Sequence, residues 1–243
     1  MKNLFLFLFL LVVFTSKAQD NRVSGLNSRQ FTKYWKVESE SPDYKVTFQG
    51  DTAEIVSPKG LTLWRKEKMS GKVTIEYDAC VVVESDGDRL SDLNCFWMAS
   101  DPQYPDNLWK REKWRSGIFL NCYSLQLYYL GYGGNHNSTT RFRRYDGDES
   151  GITNPKARPA ILKEYTDAGH LLKPNHWYHI KITNENNRVS YYIDGERLVD
   201  FRDAEPLREG WFGFRTTLSR TRITNFSYEC SSQEATAVLL QWI

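Results

Sequence analysis

The chain reads as a series of short runs in which apolar and polar side chains alternate. Residues 45–49, 53–57 and 61–65 form three such runs, separated by Gly50-Asp51 and by Pro58-Lys59-Gly60. Residues 72–83 alternate over a longer stretch rich in Val, Ile and Tyr, and residues 94–99 are short and apolar. At least one long strand is expected within residues 116–132. Residues 177–184 and 188–193 flank Asn186-Asn187, a good hairpin turn, and Asp194-Gly195 turns the chain into residues 197–201. Residues 211–217 and 222–229 close the series. A period of two puts successive side chains on opposite faces of a strand. Many short strands bounded by Gly, Asn and Asp predict an all-β, two-sheet antiparallel jelly-roll sandwich. No long amphipathic helix and no internal repeat interrupts the pattern.

Three stretches depart from it. Residues 4–14 are an unbroken run of Leu, Phe and Val behind Lys2, followed by Ser16-Lys17-Ala18. That run is too short to span a bilayer, and small-x-small is a cleavage pattern, so residues 1–18 are expected to be a secretory signal peptide. The expected layout is one sandwich domain over residues 19–230, secreted or periplasmic, with a tail at 231–243 to which no role is assigned. Residues 100–116 and 132–172 are irregular, and loops this long in a compact domain are usually functional or disordered.

Composition sharpens the picture slightly. The 32 basic and 30 acidic residues are interspersed, leaving a net charge of +2, so neither a nucleic-acid footprint nor a polybasic membrane patch is expected. The 8 Trp, 14 Tyr and 13 Phe exceed ordinary needs; flat rings fill a β core and also stack on sugars. Four cysteines, Cys80, Cys95, Cys122 and Cys230, lack metal-ligand spacing and stay open between disulfides and buried thiols. No cofactor is implied.

A Trp-led strand at Trp177 followed by one ending in Asp194-Gly195 resembles the concanavalin-A-like, laminin-G-like jelly roll. Four segments resemble the YesU-like group of exported bacterial proteins from polysaccharide-degradation systems. They are Asn94-Cys95-Phe96-Trp97-Met98 within its flanks, Gly131-Tyr132-Gly133-Gly134-Asn135, Arg141-Phe142-Arg143-Arg144-Tyr145, and Gly210-Trp211-Phe212-Gly213-Phe214-Arg215. The resemblance runs over residues 30–229 and implies a carbohydrate partner, a poly- or oligosaccharide, without fixing a reaction. In related β-glucanase-type hydrolases the strand after a Phe-Trp-Met run presents Glu-x-Asp-x-Glu. Here the comparable stretch is Tyr123-Ser124-Leu125-Gln126-Leu127-Tyr128-Tyr129-Leu130, with no carboxylate, and hydrolysis of that type needs two.

Alternation about Leu125, Leu127 and Tyr129, taken as core-facing, sends Gln126 and Tyr128 to a cleft. Alternation about Phe212 and Phe214 sends Trp211 and Arg215 outward. A set of Gln, Tyr, His and Arg suits β-elimination from a uronic acid: a cation neutralises the carboxylate, a base takes the neighbouring proton and an acid protonates the leaving oxygen. The expected catalytic set is Gln126, Tyr128, Tyr132, His136 and Arg215, with Tyr128 or Tyr132 as acid and His136 as base. Asn94, Trp97, Arg141, Arg143 and Trp211 are expected to bind substrate. A lyase is the leading expectation; a hydrolase of the same fold and a non-catalytic binding module are the alternatives. His176 and His179 fall on opposite strand faces, so shared metal ligation is not expected.

Overall fold

The computed structural model describes residues 23–231. The expected signal peptide and residues 232–243 lie outside the described residues. Among the described residues fourteen strands form in the order β1 (Val23–Ser24), β2 (Trp35–Ser39), β3 (Lys45–Gln49), β4 (Thr52–Arg65), β5 (Met69–Ser70), β6 (Lys72–Val81), β7 (Leu93–Ser100), β8 (Gln126–Gly133), β9 (Thr139–Asp146), β10 (Lys163–Tyr165), β11 (Tyr178–Glu185), β12 (Arg188–Ile193), β13 (Glu196–Arg202) and β14 (Glu209–Ser231). The pairing is antiparallel throughout. The fold is an all-β antiparallel sandwich.

Two strands belong to both layers. The first part of β14 pairs with β7, and its later part pairs with β6; β4 follows it on the other side from Gly213↔Trp64 to Ile223↔Ala53. The register shifts between Thr217 and Ser219, opposite Gly60 and Ser57. The front layer therefore runs β10-β9-β8-β7-β14-β4-β2 and the back layer β13-β12-β11-β6-β14-β4-β3. The expected turn at Pro58-Lys59-Gly60 is instead a bend inside one 14-residue strand. Pro cannot donate to a ladder, and here it sits where the register shifts, a place that tolerates it. Residues 211–217 and 222–229 likewise join into one 23-residue strand. The expected irregular stretch 132–172 contains β9 and β10, and residues 100–116 hold short helical turns at Leu108–Arg111 and Glu112–Arg115.

The main core lies between the layers. β6 contributes Val73, Ile75, Tyr77, Ala79 and Val81, and β11 contributes Ile180 and Ile182. A second apolar cluster lies on the outer face of the front layer, where Leu125, Leu127, Phe96 and Trp64 meet Leu108, Cys122 and Tyr123 from the segment between β7 and β8. That segment roofs part of the outer face, so β8 is buried on both sides.

This second roof reverses the expected facing of β8. Tyr128, Leu130 and Tyr132 point into the main core, and Leu127 and Tyr129 point to the outer face. Tyr128 can be interior because its hydroxyl is satisfied: it donates to Asp203 Oδ2 at 2.6 Å and accepts from the Leu207 N–H at 3.1 Å. All four cysteines are free thiols.

Candidate functional site

In an antiparallel ladder, directly opposed residues point the same way. One row across the front layer reads Thr62 on β4, Arg215 on β14, Asn94 on β7, Gly131 on β8, Arg141 on β9 and Glu164 on β10. The neighbouring row on that face reads Trp64, Gly213, Phe96, Tyr129 and Arg143. The roof covers most of this aromatic row. Of the polar row, Arg215, Asn94, Gly131 and Arg141 floor a cavity of about 470 Å³.

Arg215 is the buried end of that floor. Its Nη1 donates to the Gly117 carbonyl and, at 3.4 Å, to Thr62 Oγ1; its guanidinium lies 5.6 Å from the Phe119 ring centre and 4.0 Å from Glu40 Oε1. Beside it, Asn94 donates from Nδ2 to Asp92 Oδ1 at 3.2 Å, while its own Oδ1 is buried without a hydrogen-bond partner. Asp92 is further held by Arg89 at 3.1 Å. Orphaned buried acceptors are rare and need an explanation.

Gly131 is required by its neighbour. A Cβ there would stand 2.3 Å from the Tyr129 hydroxyl, so the missing side chain lets Tyr129 lie along the sheet with its hydroxyl over the cavity floor. Burial first, then the Asp92 charge, holds the Tyr129 phenol above its ordinary range against the pull of Arg215 and Arg143. At neutral pH it is therefore a hydroxyl donor.

The rim is a left-handed turn. Gly133, Asn135, His136 and Asn137 all have positive φ, between 52° and 65°. Left-handed conformations cost L-residues roughly 1–2 kcal/mol each, so the turn depends on its surroundings. Asn137 supplies them, donating to the Leu172 carbonyl at 2.9 Å and accepting from the Leu172 N–H at 2.8 Å. His136 is exposed and lines the cavity. Five arginines line the same space, Arg89, Arg141, Arg143, Arg158 and Arg215, against the carboxylates of Glu40 and Asp92.

The structure thus gathers Asn94, His136, Arg141, Arg143 and Arg215 around one cavity, and leaves out the other expected residues. Tyr128 is in the core, as is Tyr132, whose hydroxyl donates to the Leu171 carbonyl at 3.3 Å. Trp97 is fully buried among Tyr128, Phe142 and Tyr191. Trp211 does leave the main core, but it is covered by Trp109 and donates to the Lys66 carbonyl at 3.1 Å. Gln126 begins β8 on the Tyr128 side, outside the cavity lining. Sequence reasoning missed Tyr129, Arg89, Arg158, Tyr123 and Glu40. A usable signal for Tyr129 was the run Leu127-Tyr128-Tyr129-Leu130, apolar on both faces, which does not say which face is the core.

The sequence matches the DUF6250 family, described as a domain of unknown function, over residues 55–226. The chain belongs to that family. The DUF6250 match takes in every cavity residue named above except Glu40. No curated protein matches the sequence. Among solved structures, the carbohydrate-binding module CBM66 from Bacillus subtilis aligns at 16% identity and a TM-score of 0.53, covering 80% of this chain and 94% of that one. A Bacillus subtilis protein of unknown function with a galectin-like fold aligns at 15% identity and 0.64, covering 83% and 91%. The VIP36 exoplasmic/lumenal domain bound to Ca²⁺ and Man3GlcNAc aligns at 8% identity and 0.55, covering 89% and 91%. At these identities the likeness is one of fold. Among the described residues no helix is long and apolar enough to cross a membrane.

Proposed function

We propose that this DUF6250 protein takes an acidic, uronate-bearing poly- or oligosaccharide into the arginine-lined cavity, and that it works outside the cytoplasm. The observation that carries the reading is the pairing of two unmet needs on one floor. Asn94 Oδ1 is a buried acceptor with no donor, and Arg215 stands beside it with guanidinium hydrogens to spare. A sugar hydroxyl answers the first, and a carboxylate answers the second, worth about 1.5–3 kcal/mol for a charge-assisted bond. The carbohydrate-binding module and the glycan-bound lumenal domain among the structural neighbours support a carbohydrate partner, as does the resemblance to the YesU-like group. The apolar run at residues 4–14 supports export, and the continuous main core supports a single domain over residues 19–230.

The finer reading is a lyase. Arg215 neutralises the uronate carboxylate, and His136 takes the proton on the carbon next to it. The bond from the adjacent ring carbon to the leaving oxygen breaks as a carbon–carbon double bond forms. The Tyr129 hydroxyl then gives its proton to that oxygen, the part first expected of Tyr128 or Tyr132. Tyr129 and His136 lining one cavity is the observation that favours this over pure binding. A retaining hydrolase finds less support, because Asp92 is engaged by Arg89 and Asn94, and Glu40 lies 4.0 Å from Arg215. The test is incubation with a panel of neutral and uronate-containing glycans, followed by binding and by the ultraviolet absorbance of an unsaturated uronate. Uronate binding with absorbance growth supports the lyase. Binding without it leaves a binding module, and preference for neutral glycans overturns the whole reading.

A further inference from the structure

Elsewhere this chain commonly sets arginine against carboxylate: Arg65 meets Glu67, Arg111 meets Asp101 at 2.7 Å, and Arg188 meets Asp200 at 2.6 Å. Arg143 and Arg158 break the habit. Both are part-buried, both line the cavity, and among the described residues neither has a carboxylate partner. Each is held by a backbone carbonyl instead: Arg143 Nη1 donates to Pro159 O, and Arg158 Nε donates to Gly151 O at 3.3 Å. Carbonyls orient a guanidinium without neutralising it.

The two charges converge. Pro159 follows Arg158 in the chain, so the bond from Arg143 ties the two residues to one wall. The Arg158 guanidinium lies 5.9 Å from the Tyr123 ring centre, and the charges of Arg158 and Arg143 both act on the Tyr123 hydroxyl. Tyr123 also lines the cavity, and its hydroxyl has no hydrogen-bond partner among the described residues. Two like charges half-removed from water repel each other and lose hydration. Without an anion between them, the arrangement costs stability.

This wall is not the Arg215 floor. Arg215 is on β14 and Arg143 on β9, with β7 and β8 between them. Three strand spacings put their backbones roughly 14 Å apart. Arg215 is drawn the other way, towards Gly117 and Glu40.

We propose that Arg143, Arg158 and Tyr123 form a second anion subsite, which takes another negatively charged substituent of the same glycan: a sulfate ester, or the carboxylate of a neighbouring uronate. The proposal rests on the reading that the Arg215 floor holds a first uronate. Donors from three side chains suit either group, since both offer several acceptor oxygens. The substrate class is then a densely charged acidic glycan, not one with isolated carboxylates.

The test is calorimetric titration of the full protein with size-matched oligosaccharides. Hyaluronan carries one carboxylate per disaccharide, chondroitin sulfate adds a sulfate, and oligogalacturonate has a carboxylate on every sugar. The wild type is expected to bind chondroitin sulfate or oligogalacturonate about tenfold or more tighter than hyaluronan, in line with one added charge-assisted contact. Which of the two is preferred tells sulfate from carboxylate. The Arg143→Ala/Arg158→Ala double variant should lose that preference, its affinity for the densely charged glycan falling about tenfold more than its affinity for hyaluronan, and show a melting temperature equal to or above wild type. Equal affinity of the wild type for all three overturns the second subsite and leaves the Arg215 reading standing. A preference that survives in the double variant also overturns it. Failure of every acidic glycan to bind removes both.

Discussion

Tyr128 and Tyr129 are neighbours in sequence and meet opposite environments, which makes them a controlled pair. Tyr128→Phe removes the donor to Asp203 and leaves the Leu207 N–H without its acceptor. The expected cost is about 1–3 kcal/mol in urea unfolding, with glycan affinity unchanged. Tyr129→Phe removes a hydroxyl with no hydrogen-bond partner among the described residues, so stability should hold. If Tyr129 is the acid, turnover should fall on the order of a hundredfold while affinity stays close to wild type. A variant pair with the opposite pattern would return the acid role to Tyr128. Arg215→Lys gives a second check at this scale. It keeps the charge and loses the planar fork, so uronate affinity should drop roughly tenfold or more, read by titration beside a thermal melt. Asn94, His136, Arg141, Arg143 and Arg215 were legible as candidates because polar and basic types stood out in an aromatic chain. Tyr129 was not, because a tyrosine beside leucines looks the same whether it packs a core or floors a cavity.

At the scale of elements, the site depends on the roof between β7 and β8. That roof is pinned by a buried ion cluster: Arg115 donates to Glu38 Oε2 at 3.0 Å and to the Leu108 carbonyl at 2.6 Å, with Asp101 3.7 Å away. Gly117, two residues on, supplies the carbonyl that positions Arg215. Burial pushes the Glu38 carboxyl up, and the Arg115 charge pulls it part of the way back. Arg115→Met should strand Glu38 as a buried carboxylate without its cation, while Asp101 keeps Arg111 at 2.7 Å; the expected loss is about 3–5 kcal/mol near neutral pH. The sign of its pH dependence follows. With the cation gone, the Glu38 pKa rises further above its unfolded value, so its penalty is felt in full above that raised pKa and fades as pH falls below it. The stability gap between variant and wild type should therefore be wider at pH 8 than at pH 5 in denaturant unfolding. A gap that widens towards acid would mean that Glu38 is not the stranded group. None of this was legible beforehand. A segment holding Pro102, Pro105 and many charges reads as a surface loop, and only the fold shows Arg115 fully buried.

For the whole molecule, the sandwich was legible because alternation is a local signal, and the hairpins from β11 to β13 turn at Asn186-Asn187 and Asp194-Gly195 as expected. The crossing of β4 and β14 between layers was not: on β4 a bend and a chain break share the same Pro and Gly punctuation, and on β14 Leu218-Ser219-Arg220-Thr221 carries neither. That crossing has a mechanical consequence. The β14–β4 ladder, from Gly213↔Trp64 to Ile223↔Ala53, runs through both layers and ties them together. Strands shared by both layers should make the fold one cooperative unit, as single domains usually are. Two native thiols can report on this. Cys95 lies in the main core and Cys122 in the roof's own contribution to the outer cluster, and burial pushes both up to about 12. At pH 8 each is a buried, protonated thiol, so neither should react until it is exposed. A thiol reagent applied across a urea series, with each site resolved by mass spectrometry, measures the opening free energy at both positions. Global unfolding predicts the same value and the same urea dependence for Cys95 and Cys122. If Cys122 reacts with a smaller urea dependence, the roof opens alone, and the cavity it borders is a movable lid on a rigid sandwich instead of part of one cooperative body.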